Sequence, residues 1–190
     1  GAAKGIIDKW RNANYHVVQF WGELETAAKN AVSFPGQEFS AGMMKYVFTP
    51  NLMGGTLIGI MPGDHFIQYP MAKLEDVTTP WGETRTAVTC MKAGYKPKAD
   101  AKNWPRVALY GGLLCENFCQ AFSAALLRNA LRELPEVVAH GHAETAMAID
   151  SDLADEAARL SRSVMESVPG WAARLPLHHE RPTTTTPCEG

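Results

Sequence analysis

Residues 110–134 carry apolar side chains around nearly the whole of a helical circumference: Leu114, Cys115, Phe118, Cys119, Phe122, Ala125 and Leu126. A helix that is apolar all round has no face to turn to water, so the pattern predicts a largely buried helix over residues 112–134 that the rest of the chain must cover. Glu116, Asn117 and Gln120 interrupt it. A primary amide buried there without hydrogen-bond partners costs roughly 2 kcal/mol or more. Glu116 and Ser123 lie on the side of Gln120, and a satisfied core amide and a ligand-facing amide both answer that demand.

The elements around this helix follow from spacing. Ile7, Trp10, Asn14, Val17, Trp21, Leu24, Ala28 and Ala31 recur at three and four residues, which predicts an amphipathic helix over residues 6–32 ended by Phe34, Pro35 and Gly36. Residues 44–92 switch to short aromatic and β-branched runs divided by Pro and Gly, the signature of strands. Residues 57–61 and 66–69 flank Pro62, Gly63, Asp64 and His65 as a hairpin, and a further strand covers residues 86–92. Residues 93–102, with Lys92, Lys96, Lys98 and Lys102 around Pro97, read as an exposed basic loop. Two short strands, 137–140 and 145–149, turn near residues 141–144. Asp150 or Ser151 then caps a last helix with Leu153, Ala157, Leu160, Val164 and Val168 on one stripe, stopped by Pro169 and Gly170. The tail after Arg181 has too little apolar surface to fold and is expected to be disordered.

With 190 residues, 46% of them hydrophobic, the chain can bury a core of one or two compact domains. It holds no apolar run long enough to span a bilayer, and its first residues lack a signal-peptide pattern, so a cytoplasmic setting and no membrane partner are expected. Its net charge of −2 gives no global basic field of the kind that drives free-standing nucleic-acid modules. Cys90, Cys115, Cys119 and Cys188 form no CxxC pair and read as buried structural thiols.

His140, His142 and Glu144 alternate, so on one continuous strand they would share a face, as a metal site requires. An HxH followed by an acid is how a cupin-like metal site begins, with His178 and His179 available to complete it. A turn at Gly141 would remove the shared face.

Four stretches carry a resemblance to a known family. WRNANYHVVQFWGELETAA follows the pattern WRxANPxIVxFWxxLExAA, with Tyr15 in place of a proline. MPGDHFIQYP follows LPSGRxLxYP, with His65 in place of an arginine. NWPRVALYGGLLCENFCQA contains YGG and ENxxQA, and VPGWAARLPLHHE follows PxWAxGLPLxAE. In this order they resemble the C-terminal portion of the family-A DNA polymerases, those related to bacterial DNA polymerase I, and most closely the phage-type members. The likeness covers most of the chain.

The resemblance implies an α+β fold, with long helices packed on a small antiparallel palm-type sheet and a β-hairpin bearing the tip His142-Ala143-Glu144. It divides the chain into a fingers-end helix (1–35), a β-rich insertion with a basic loop (36–108), the palm helix, hairpin and C-terminal helix (109–180) and a disordered tail (181–190). It implies DNA-directed DNA polymerase chemistry, in which two magnesium ions flank an in-line nucleotidyl transfer. Primer-template DNA and deoxynucleoside triphosphates are the implied partners, together with an upstream polymerase portion bearing the first aspartate motif and the triphosphate-binding fingers helix. Among site residues, the resemblance gives Gln120, Asn117, His142 and His65 DNA contacts, and His142 and Glu144 the catalytic tip. The family's tip reads His-Asp-Glu, and here Ala143 stands at the aspartate. Ala125 and Ala148 replace two further acids, and the link around Pro135 is a few residues short. Hard cations need carboxylates, and a methyl group offers no oxygen. No magnesium is therefore expected on this chain alone, and no catalysis.

Overall fold

The computed structural model describes residues 2–52, 54–92, 104–141, 144–173 and 175–177. It resolves into two compact units, Gly1–Cys119 and Gln120–Gly190, divided within one helix. Among the described residues the fold is α+β, with four α-helices and small antiparallel sheets.

In the first unit, α1 (Ala2–Ala13) and α2 (Tyr15–Ser33) replace the single helix expected over residues 6–32. Asn14 divides them. Its side-chain amide donates to the Trp10 carbonyl at 2.9 Å, the same oxygen that its backbone N–H reaches at 2.9 Å. A short amide that competes for main-chain acceptors bends a helix, and the following turn tightens, with the Val17 N–H donating to the Asn14 carbonyl at 3.0 Å. Only α2 enters the core, through Leu24, Ala27, Ala28 and Ala31. Ile6, Ile7 and Trp10 of α1 stay exposed, although Trp10 stacks on Trp21.

β1 (Glu38–Ala41), β2 (Met44–Thr49), β3 (Thr56–Met61) and β4 (His65–Pro70) form an antiparallel meander in that order. Alternation sets its buried face: Met44, Tyr46 and Phe48 on β2, and Leu57, Gly59 and Met61 on β3. Gly59 stands opposite Tyr46, where a Cβ would come within 2.7 Å of the Met44 methyl. The expected hairpin is present as β3 and β4. Gly63 and Asp64 take the left-handed backbone its turn needs, with φ of 78° and 58°. His65 opens β4 opposite Met61 instead of sitting in the turn.

A second sheet holds β5 (Lys73–Thr78), β6 (Thr84–Met91) and β7 (Arg106–Leu109), with β6 central. Of these, sequence spacing marks only β6. The expected basic loop falls outside the described residues apart from Lys92, whose carbonyl accepts the Trp104 indole N–H at 3.0 Å.

β7 leads through Tyr110 into α3 (Gly111–Glu133). The helix buries one face, not its whole circumference, which corrects the expectation. Leu114 and Phe118 in the first unit, and Phe122, Ala125 and Ala130 in the second, are buried, whereas Cys119, Gln120, Ser123 and Ala124 are exposed. The large residues recur at four-residue spacing on one side, and the opposite side is apolar only through small side chains with little area to bury.

The second unit continues with β8 (Val137–Gly141), β9 (Glu144–Met147) and α4 (Ala154–Glu166). Phe122 and Trp171 meet edge to face at 5.3 Å. Asp150 caps no α-helix. It precedes a 3-10 turn over Ser151–Leu153 that runs into α4, and its carbonyl, not its carboxylate, accepts the Leu153 N–H at 3.0 Å. Pro169 likewise precedes a 3-10 turn, Gly170–Ala172, three residues beyond the end of α4. The expected disordered tail lies outside the described residues. No helix among the described residues is long and apolar enough to cross a membrane.

Candidate nucleic-acid interface

The start of α3 is fixed before any of its polar residues can be presented. Gly111 lies so close to α2 that a Cβ on it would stand 2.2 Å from the Trp21 carbonyl oxygen. No residue with a side chain fits there, which gives the first glycine of YGG a steric reason. Its N–H donates to the Glu25 carboxylate at 3.2 Å, and Glu25 also pairs with Lys29 at 2.9 Å and Arg85 at 3.0 Å. Partial burial pushes the Glu25 carboxyl up, but the Lys29 hydrogen bond and charge, Arg85 and the Gly111 N–H together bring it below its ordinary value. An anionic Glu25 at the helix N-terminus also suits the helix dipole.

Arg106 anchors the strand that feeds this helix. Its guanidinium donates to the Met71 carbonyl at 2.6 Å, the Thr89 carbonyl at 2.9 Å and the Glu75 carboxylate at 3.0 Å. Thr89 donates to the same carboxylate. The Lys73 ammonium, 2.5 Å from Glu75, and the Thr89 hydroxyl, with Arg106 beside them, hold the Glu75 carboxyl down at about 2. The sequence reading singled out neither Arg106 nor Glu75. The signal available was a lone cation in a short apolar run, which needs a buried or partly buried acid elsewhere in the chain.

Asn117 is half-buried, and its side-chain amide donates to the Tyr69 hydroxyl at 3.3 Å, tying α3 to β4. Burial pushes the Tyr69 hydroxyl up to about 12, against the Asn117 hydrogen bond. Glu116 and Gln120 are exposed, so the desolvation demand placed on a buried Gln120 does not arise. His65 is half-buried on β4, at the end of the sheet face that carries Met61.

In the second unit, β8 and β9 pair antiparallel with Gly141 opposite Glu144 and His140 opposite Thr145. His142 and Ala143, where the expected tip falls, lie outside the described residues. Directly opposed residues share a face of a two-stranded sheet and adjacent ones alternate, so the side chains of His140 and Glu144 point to opposite faces. Two of the three groups of the alternating metal-site pattern are thereby separated. Among the described residues, no three His, Cys, Asp or Glu side chains gather to hold a metal ion.

The molecule is thus an α+β protein in which a helix with exposed Glu116 and Gln120 leads into an antiparallel strand pair that carries Glu144. Over 185 residues the chain is 29% identical to a protein named DNA polymerase from Bacillus phage SP02, a match that takes in 93% of this chain and 26% of that polymerase. The chain spans about a quarter of the length of this curated relative. The resemblance to a DNA polymerase, read from four short stretches, extends along nearly the whole chain. No known family profile matches the chain, and no solved structure does.

Proposed function

We propose that this chain is a segment of a family-A, phage-type DNA-directed DNA polymerase, spanning the end of the fingers and most of the palm, and that its work is to hold primer-template DNA and not to catalyse transfer. The observation that carries this reading is the similarity to a phage DNA polymerase over 93% of the chain. The order of elements supports it: a helix with exposed Glu116 and Gln120, then paired strands that bring Glu144 opposite Gly141.

In this reading Gln120 faces the template side of the duplex, and His142 meets the primer terminus. In the first unit His65, where the family has an arginine, contacts the DNA, and Asn117 acts by holding α3 against Tyr69. The donor set at the tip does not fit a magnesium pair. Glu144 is the one carboxylate between Glu136 and Asp150, and Ala143 stands where the family has its aspartate. Synthesis, with deoxynucleoside triphosphates as substrates, belongs to the intact polymerase, in the cytoplasm of a bacterium or a phage-infected host.

A primer-extension assay with magnesium and all four nucleotides tests this. The chain alone is expected to add no nucleotide to a labelled primer. Magnesium-dependent extension at the rate of an intact polymerase would overturn the reading.

A further inference from the structure

Gly22 lies in the interior of α2, where glycine is disfavoured relative to alanine because it loses more backbone freedom on folding. A Cβ built on it would meet nothing within 4 Å among the described residues. Packing therefore gives no reason for the missing side chain. The space it leaves belongs to an open cleft of about 500 Å³ between α2 and β1.

Gln19 and Glu23 line the cleft from α2, and Phe39 lines it from β1. Four-residue spacing puts the two helix side chains on one stripe. The Gln19 amide nitrogen donates to one oxygen of the Glu23 carboxylate at 2.9 Å. That bond fixes both side chains and leaves two neighbouring acceptors, the Gln19 amide oxygen and the second Glu23 oxygen. Among the described residues no lysine, arginine or histidine lines the cleft, so the charge of Glu23 is not offset there. Paired acceptors beside an aromatic ring suit a planar group with parallel N–H donors, and the carboxylate favours a cation; a guanidinium meets both demands. Guanine offers a similar donor edge, but its nucleotide would bring phosphate to a site that holds no cation.

β1 is also the edge strand of its sheet, so its outer backbone groups are open to pairing with an extended chain. We propose that the cleft docks an extended segment of a partner protein, which pairs with the edge of β1 and places one arginine side chain between Glu23 and Phe39. The guanidinium donates to the Glu23 and Gln19 oxygens, and its plane lies against the Phe39 ring. Gly22 keeps open the space for the aliphatic stem. The docking site is independent of the polymerase reading.

Calorimetric titration of the folded chain with the blocked pentapeptide acetyl-Val-Thr-Arg-Thr-Val-amide tests this. Saturable binding of one peptide per chain is expected. Exchanging its arginine for neutral citrulline, or using N-acetyl-arginine amide, which cannot pair as a strand, should weaken binding about ten-fold or more. Gly22→Leu fills the cleft from a position with no neighbour to disturb, and should abolish binding while the melting temperature holds or rises. Glu23→Gln should weaken binding about ten-fold, whereas Glu83→Gln, at an exposed acid outside the cleft, should leave it unchanged. Absence of saturable binding, equal affinity for the citrulline peptide or for N-acetyl-arginine amide, binding untouched by Gly22→Leu or Glu23→Gln, or displacement of the peptide by guanosine monophosphate overturns the proposal.

Discussion

Gly111 and Glu75 are the residues on which the placement of α3 turns, and each makes a measurable claim. Any Cβ at Gly111 would meet the Trp21 carbonyl at 2.2 Å, a main-chain atom that cannot swing aside. Gly111→Ala is therefore expected to destabilise the first unit by about 2 kcal/mol or more, read as a fall in the urea midpoint. The adjacent Gly112→Ala, whose nearest neighbour is the edge of the Tyr110 ring at 3.1 Å, should cost less. Glu75 titrates at about 2, below its ordinary 4.5, because its ionised form is the one that Lys73, Thr89 and Arg106 bind. A depressed carboxyl stabilises the fold above its unfolded value and loses that contribution as pH falls through the folded one. Melting temperature should thus fall between pH 4.5 and about 2, and Glu75→Gln should flatten that part of the curve; an unchanged slope would contradict the network. YGG was visible as a motif, but its reason was not, because the clash involves a carbonyl ninety positions earlier in the chain.

Among the elements, those with strong periodicity were legible and those held by polar contacts were not. The β3–β4 hairpin follows directly from apolar runs around Pro62, Gly63 and Asp64. β5 went unseen because Lys73, Glu75 and Asp76 dilute its alternation, and its Glu75 is held by Arg106 across the sheet, a partner that no local window contains. The break at Asn14 is a side chain competing with its own helix, which a count of apolar spacing passes over. α3 was read as wholly buried because Cys, Ala and Ser look apolar or neutral in a pattern although they cover little surface. Exposure also separates the strand pairs. β2 and β3 bury alternate side chains, while β8 and β9 bury none among their described residues. Amide hydrogen exchange should therefore be slower in β2–β3 than in β8–β9; equal protection would contradict the burial.

At the scale of the whole molecule, the four quoted stretches gave the polymerase likeness, and the match over 93% of the chain extends it. The candidate site was less legible. Asn117 is engaged with Tyr69, and Gln120 is exposed where a buried amide was expected. The strand pairing puts His140 and Glu144 on opposite faces, which separates two of the ligands in the HxHxE pattern. Those outcomes depend on which face each element turns inward, a property of the assembled fold. The central proposal is that this chain holds duplex DNA without catalysing. Fluorescence anisotropy of a labelled primer-template, titrated with the folded chain in magnesium-free buffer, tests it most directly. Saturable binding that weakens with salt, and is reduced about five-fold by Gln120→Ala, the equivalent of roughly 1 kcal/mol for one hydrogen bond, is the expected result. No change in anisotropy at any protein concentration, or binding that Gln120→Ala leaves untouched, would contradict it.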